Sequence, residues 1–321
     1  MTLNWHDLNF YYHPIFMEHL SGLRHPENPD RLRIIIQLLQ DKGVWGQLQI
    51  KTPPAAELKW IETNHHLHYI SHVRSTCEEA PAILDGGDTL VTEHSYEAAL
   101  HAAGACLAGV DDLMAREVKS VFCAVRPPGH HAEYAEAMGF CLFNNVAIAA
   151  RYAIDRYSLQ RVFILDWDVH QGNGTHHSFY QMSEVFFCSI HQWPLYPGIG
   201  TADESGRGIG RGYTLNIPLE AGAGDEIYIR VLQEQVIPAM HHYRPDLLII
   251  SAGFDAHTDD PLADMNVSTE GFREMTRMLR REMQTLNGGK ILSVLEGGYN
   301  HINLAESVLA HLEALVEAPE G

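Results

Sequence analysis

Short blocks that are apolar without a break constrain this chain most. Val162-Phe163-Ile164-Leu165 and Leu247-Leu248-Ile249-Ile250 leave no polar face for solvent. A strand of this kind must be covered on both sides, as in a parallel sheet between two helix layers. Apolar β-type runs occupy 118–125, 161–165, 184–190, 213–219, 246–251 and 290–295. Helical patterns alternate with them, at 95–114, 144–157, 225–243, 269–286 and 303–316. Asn28-Pro29 reads as a cap followed by Pro at the first helical position, and Gly43 closes that helix. Strand and helix in alternation predict one three-layer α/β/α domain over residues 1–321, with a mainly parallel central sheet. The stretch 192–212, rich in Gly and Pro, is expected to be a functional loop.

In such sheets ligands bind beyond the carboxyl ends of the strands, so the residues after each buried run carry the functional signal. They are Arg126-Pro127-Pro128-Gly129-His130-His131, Asp166-Trp167-Asp168-Val169-His170, Ala252-Gly253-Phe254-Asp255 and Glu296-Gly297-Gly298-Tyr299. Four strand ends thereby deliver imidazoles, carboxylates and a phenol to one rim. Asp168 and His170, two apart, share a face of an extended segment. With Asp255 they form a three-ligand set that leaves a position for water or substrate. Zn²⁺ suits it, and Fe(II) or Mn(II) also fit the ligand types. His130 and His131 beside such an ion suit acid and base work near neutral pH. Tyr299, after two glycines, is placed to donate a hydrogen bond to a developing oxyanion.

Other features exclude functions. Lys plus Arg number 22 against 41 Asp plus Glu, a net charge of −19, so direct binding of nucleic acid is not expected. No apolar run approaches membrane-spanning length. Five scattered cysteines without a C-x-x-C pair suit a reducing, cytoplasmic compartment. Gly206-Arg207-Gly208-Ile209-Gly210 precedes a strand where a nucleotide loop requires a helix, so it is read as a loop. His65-His66 and His241-His242 are expected to be solvated.

Taken together, Tyr12-His13-Pro14, His25-Pro26-Glu27-Asn28-Pro29-Asp30-Arg31, the residues 126–131, Gly139-Phe140-Cys141, 166–174, 251–255 and 296–299 resemble histone deacetylases and their prokaryotic relatives of the arginase–deacetylase fold. The resemblance runs essentially end to end, and Asn173 with Glu296-Gly297-Gly298-Tyr299-Asn300 looks like the class II branch. It implies a zinc-dependent amidohydrolase acting on acylated lysine or other N-acyl amines. Asp168, His170 and Asp255 would hold Zn²⁺. His131 would be general base and then acid, His130 would assist, and Tyr299 would stabilise the oxyanion. Asp166 would orient His130, and Asn173 would face His131. A charged partner beside His130 and a neutral one beside His131 would hold the first cationic and the second neutral. Gly139, Phe140 and Tyr196 would line an acyl tunnel, Asp88 would grip substrate backbone at its rim, and Arg31 would belong to an internal product channel. A structural K⁺ would map onto Asp166, Asp168, His170, Ser189 and Ile190. Leu262 stands where polyamine deacetylases of this branch carry a Glu, which disfavours acetylpolyamines. The competing readings are an acetylpolyamine or small N-acyl amide amidohydrolase, a dinuclear ureohydrolase of the same superfamily, and a non-catalytic acyl-lysine binder.

Overall fold

The computed structural model describes residues 3–318. Ten strands follow in chain order: β1 Leu8–Tyr11, β2 Gln49–Lys51, β3 Ala82–Ile83, β4 Leu90–Val91, β5 Ser120–Cys123, β6 Val162–Asp166, β7 Val185–Gln192, β8 Thr214–Leu219, β9 Leu247–Ala252 and β10 Ile291–Leu295. Eight of them form one sheet in the order β2-β1-β5-β10-β9-β6-β7-β8. Every neighbouring pair in it is parallel. β3 and β4 make a separate antiparallel pair.

The apolar runs became strands because both their faces are covered. All residues of β5, β6, β9 and β10 are buried. Side chains alternate across a strand, and here the alternation selects between two helices. Val121 and Leu292 face Gly109 of the helix Ser95–Met114. Phe122 and Ser293, one residue on, face His311 of the helix His301–Val316. Thr269–Asn287 and Asp30–Asp41 pack beside His301–Val316, while Asn145–Tyr157 packs beside Ser95–Met114.

Several boundaries follow local chemistry. Pro29 has helical dihedrals, and the Asn28 side chain accepts from the Asp30 N–H at 2.9 Å, as its capping role requires. Asn144 caps the next buried helix by accepting from Ala147 N at 3.0 Å. The helical pattern at 225–243 is interrupted by a π-turn at Leu232–Val236, before Ile237-Pro238. Pro238 has no N–H for the regular ladder, and a wider turn absorbs the break. The last helix begins at His301 rather than 303, because Asn300 caps it.

The strands β1 and β2, the β3–β4 pair, and the helices Leu58–Ile61, Leu67–Glu78 and Asn173–Phe179 had no sequence prediction. All but Leu67–Glu78 are short, so periodicity has too few residues to register; Leu67–Glu78 buries Tyr69, Ile70, Val73 and Cys77 at helical spacing, a signal the sequence does carry. Gln192 ends β7, so the expected loop begins one residue later. Among the described residues, no helix is long and apolar enough to cross a membrane.

Candidate metal and acyl-transfer site

The four functional segments follow four strands that are neighbours in space, β5-β10-β9-β6, although they are far apart in sequence. Parallel pairing sends all four chains out at the same sheet edge. β6 ends at Asp166, and Asp168 and His170 follow on the turn. Backbone N–H groups hold both carboxylates in place: Asp168 Oδ2 accepts from Gly297 N and Asp255 Oδ1 from Val169 N, both at 2.8 Å, and Asp168 Oδ1 also accepts from His170 N at 2.9 Å. Asp168 Oδ1 and Asp255 Oδ2 turn to one point. His170 Nδ1 lies 3.2 Å from Asp168 Oδ1 and 3.1 Å from Asp255 Oδ2. Donors bound at ~2.0–2.1 Å around a tetrahedral ion stand about 3.3 Å apart, so this spacing fits a single small cation.

Both carboxylates are fully buried. Burial, reinforced by the Asp168 charge, pushes Asp255 up to about 7. Burial also disfavours charge on His170, but its bonds to Asp168 and Asp255 outweigh that and raise it to about 10. The two buried acids draw a proton onto the imidazole between them, and a divalent ion would take that proton's place as the positive charge they require. Gly297 is required by crowding, because a Cβ there would collide with the carboxylate oxygens of Asp255 and Asp168.

The histidine pair lies beside this cluster. The His130 and His131 ring centroids are 3.9 Å apart, and the His131 ring is 6.1 Å from that of His170. His130 Nδ1 is 3.0 Å from Asp166 Oδ2, and His131 Nδ1 is 2.6 Å from Asn173 Oδ1. Burial penalises the cationic form of both rings. For His130 the charges of Asp168 and Asp166 overcome it, and its pKa rises well above the usual value. For His131 the neighbouring His130 and His170 add to burial, and its pKa falls well below. Glu296 Oε2 accepts from the N–H groups of Gly129 and His130, at 2.7 and 3.2 Å, and so fixes the backbone that carries the pair.

Tyr299 is partly buried, and burial raises its phenol well above 10. Its N–H donates to Asp260 Oδ2 at 2.7 Å, and the Arg31 guanidinium lies 5.1 Å from its ring centroid. Arg31, itself fully buried, donates to the carbonyls of Gly298 and Glu296 and to Glu27 Oε1. Phe140 stands 5.9 Å from the Tyr299 ring and 4.7 Å from His25. Both Gly139 and Phe140 have positive φ, +54° and +69°. A Cβ at Gly139 would meet the His131 ring, while the strained Phe140 is held by its N–H to Thr89 Oγ1 at 3.2 Å. Tyr196 is 40% exposed, with its ring 5.1 Å from His131. Asp88 is exposed, and its carbonyl accepts from His25 Nε2 at 3.2 Å. Leu262 is half-buried, and its N–H donates to Asp260 Oδ1 at 3.0 Å. Asp166 and Ser189 are register partners on β6 and β7, and the Ser189 hydroxyl bonds His191 Nδ1 at 2.9 Å.

One expectation is corrected. His65 is not solvated: it is 1% exposed, with Nδ1 donating to Glu133 O and Nε2 accepting from Asn144 N, both at 2.8 Å. The connection between β5 and the helix Asn145–Tyr157 covers it, which its own neighbours in sequence do not disclose. His241, by contrast, is exposed and pairs with Glu282.

A sequence model described as the histone deacetylase domain matches residues 25–315. The chain belongs to the histone deacetylase family. A histone deacetylase-like amidohydrolase of Pseudomonas aeruginosa is 37% identical over 91% of this chain and 77% of its own. Histone deacetylase 15 of Arabidopsis thaliana is 41% identical over 92% of this chain, which spans 54% of that longer protein. A probable deacetylase of Archaeoglobus fulgidus is 35% identical over 90% of this chain and 80% of its own. The crystal structure of the HDA15 HD domain superposes with a TM-score of 0.92 at 38% identity, over 98% of this chain and 89% of that one. The large parallel sheet with flanking helices is the arginase–deacetylase fold of this family. Family members of these names are amide hydrolases, and this chain is one.

Sequence reasoning gave no role to Glu133, Asp260, Glu296 or His65. Asp260 sits in an Asp-Pro turn and Glu133 just past the histidine pair, so each reads locally as a surface acid.

Proposed function

We propose that this chain is a zinc-dependent deacylase that hydrolyses the N-acyl amide of acyl-lysine-like substrates. The observation that carries the reading is the convergence of His170 Nδ1, Asp168 Oδ1 and Asp255 Oδ2 beside the His131 ring. Those three atoms would hold Zn²⁺, which when bound supplies Lewis-acid polarisation of a carbonyl and makes water more acidic. His131 keeps Nε2 free because Nδ1 donates to Asn173, so it takes the proton from the attacking water. The new C–O bond forms as that proton moves. The C–N bond then breaks, and His131 returns the proton to the leaving amine. Tyr299, held protonated by burial, donates its O–H to the oxyanion. His130, bonded to Asp166, adds positive potential at the same water.

Substrate would enter between Phe140 and Tyr196, over Gly139, with Asp88 at the rim accepting from backbone N–H groups. Arg31 supports the carbonyls of Glu296 and Gly298 from below, beside the route assigned to the product. A structural K⁺ on Asp166, Asp168, His170, Ser189 and Ile190 would sit on the β6–β7 seam, where pairing aligns Asp166 with Ser189. Leu262 offers no charge to a secondary ammonium, which favours acyl-lysine over acetylpolyamine. Five unpaired, buried cysteines suit a reducing cytoplasm.

The test is a panel of acyl-lysine peptides, acetylpolyamines and small N-acyl amides, assayed with zinc and with iron. Hydrolysis of acetyl-lysine amide, lost in Tyr299→Phe and in His131→Ala, is the expected result. Absence of product from every acyl-lysine, or a large preference for acetylspermidine, overturns the reading. Tight binding without turnover would indicate a binder instead.

A further inference from the structure

Asn173 lies between two very different neighbours. Its side chain is buried, and its Oδ1 sits 2.6 Å from His131 Nδ1. Its Nδ2 donates to Glu133 Oε1 at 2.5 Å and to the His131 carbonyl at 3.1 Å. The two ends of a primary amide are nearly equal in size, so partners alone decide which way it points. A carboxylate and a carbonyl can only accept. If the Asn173 amide were turned over, its oxygen would face both of those oxygens and two hydrogen bonds would become two repulsions. The orientation with oxygen toward His131 is therefore imposed from the Glu133 side. An oxygen at that place accepts only if Nδ1 carries the hydrogen, and the lone pair is then left on Nε2.

Glu133 is firmly placed for this. Its N–H donates to Glu136 O, its carbonyl accepts from buried His65, and Oε1 also receives His177 Nδ1 at 2.9 Å. His177 stands one turn beyond Asn173 on the helix Asn173–Phe179, so both grip one carboxylate from one helix face. Burial raises the Glu133 carboxyl, but the bonds from His177 and Asn173 outweigh it and hold the group below its usual value, ionised. All three side chains line an outer surface cavity of ≈ 510 Å³.

We propose that Glu133, with His177 behind it, is a positioning residue that fixes the tautomer of His131 by orienting the Asn173 amide. The inference rests on the assignment of His131 as proton acceptor. It explains why position 173 must both donate and accept: an Asp there would set a second carboxylate against Glu133, and Glu133→Gln would supply the missing donor.

The test uses ¹⁵N-histidine-labelled protein, zinc-loaded and metal-free, with the His131 signals assigned by their loss in His131→Ala. Wild type should show a protonated Nδ1 and an unprotonated Nε2. Glu133→Ala should show both tautomers, with kcat lowered roughly 10- to 100-fold and KM little changed. Glu133→Gln keeps an acceptor oxygen and should stay near wild type in both readouts. Asn173→Asp should fall by a similar roughly 10- to 100-fold, and adding Glu133→Gln should recover most of it. An unmixed His131 tautomer in Glu133→Ala, or a double variant no better than Asn173→Asp alone, overturns the proposal. The tautomer signals are read without substrate, so a protein that hydrolyses no acyl amide would defeat the functional reading and leave this test intact.

Discussion

His65 should make the fold acid-labile, and one substitution should reverse the order of stability. Its ring bridges Glu133 O and Asn144 N, the two ends of the loop that carries Gly139 and Phe140. Nε2 must accept from Asn144, so the bridge needs a neutral ring. Burial lowers its pKa from 6.5 to about 4. Because the folded value is depressed, the unfolded chain binds the proton more readily. The stabilisation is complete above pH 6.5 and is lost as pH falls toward 4. The full loss is about 3 kcal/mol, and roughly 2 kcal/mol is gone by pH 5. His65→Gln keeps an acceptor for Asn144 but leaves the Glu133 carbonyl unpartnered, costing about 1 kcal/mol at pH 7.5. Gln does not titrate, so the variant should become the more stable protein below a crossing between about pH 5 and 6. Urea unfolding of both proteins from pH 7.5 to 4.5 measures this directly. The other buried histidines, such as His311, titrate in both and cancel. A stability difference that stays constant with pH would refute the reasoning.

Three further outcomes are expected. Gly297→Ala should weaken divalent-metal affinity by at least about tenfold, since the new methyl meets Asp255 and Asp168; unchanged affinity by zinc titration with a competing chelator would exclude that crowding. Arg126→Ala should destabilise the protein by about 2–4 kcal/mol, because the buried Glu27 carboxylate loses the bonds from Arg126 Nε and Nη2 and keeps Arg31 as its cationic partner; equilibrium unfolding reads it, and a loss under 1 kcal/mol would contradict it. Leu262→Glu should raise acetylspermidine turnover relative to acetyl-lysine amide, and an unaltered ratio of kcat/KM values would remove position 262 from substrate selection.

The sequence was legible where many residues repeat one message. Unbroken apolar runs meant strands covered on both faces, and what followed each run named the acids, imidazoles and phenol of the site. It was silent where a role depends on a single contact across the fold. Glu133, Asp260 and His65 look like surface residues among their neighbours, and their bonds to Asn173, Tyr299 and Asn144, made across the fold, give them work.

Which residues would meet was likewise not written along the chain. The runs come in the order β5, β6, β9, β10, but the sheet places them β5-β10-β9-β6. Local sequence decides that a segment is extended, buried and followed by a ligand, since those properties need only the chain's own pattern. Tertiary structure decides the neighbour, because strand order is set by how crossover helices cover both faces of the sheet. That order brings Asp255 to Asp168 across 87 residues and leaves two buried charges and an imidazole around one point.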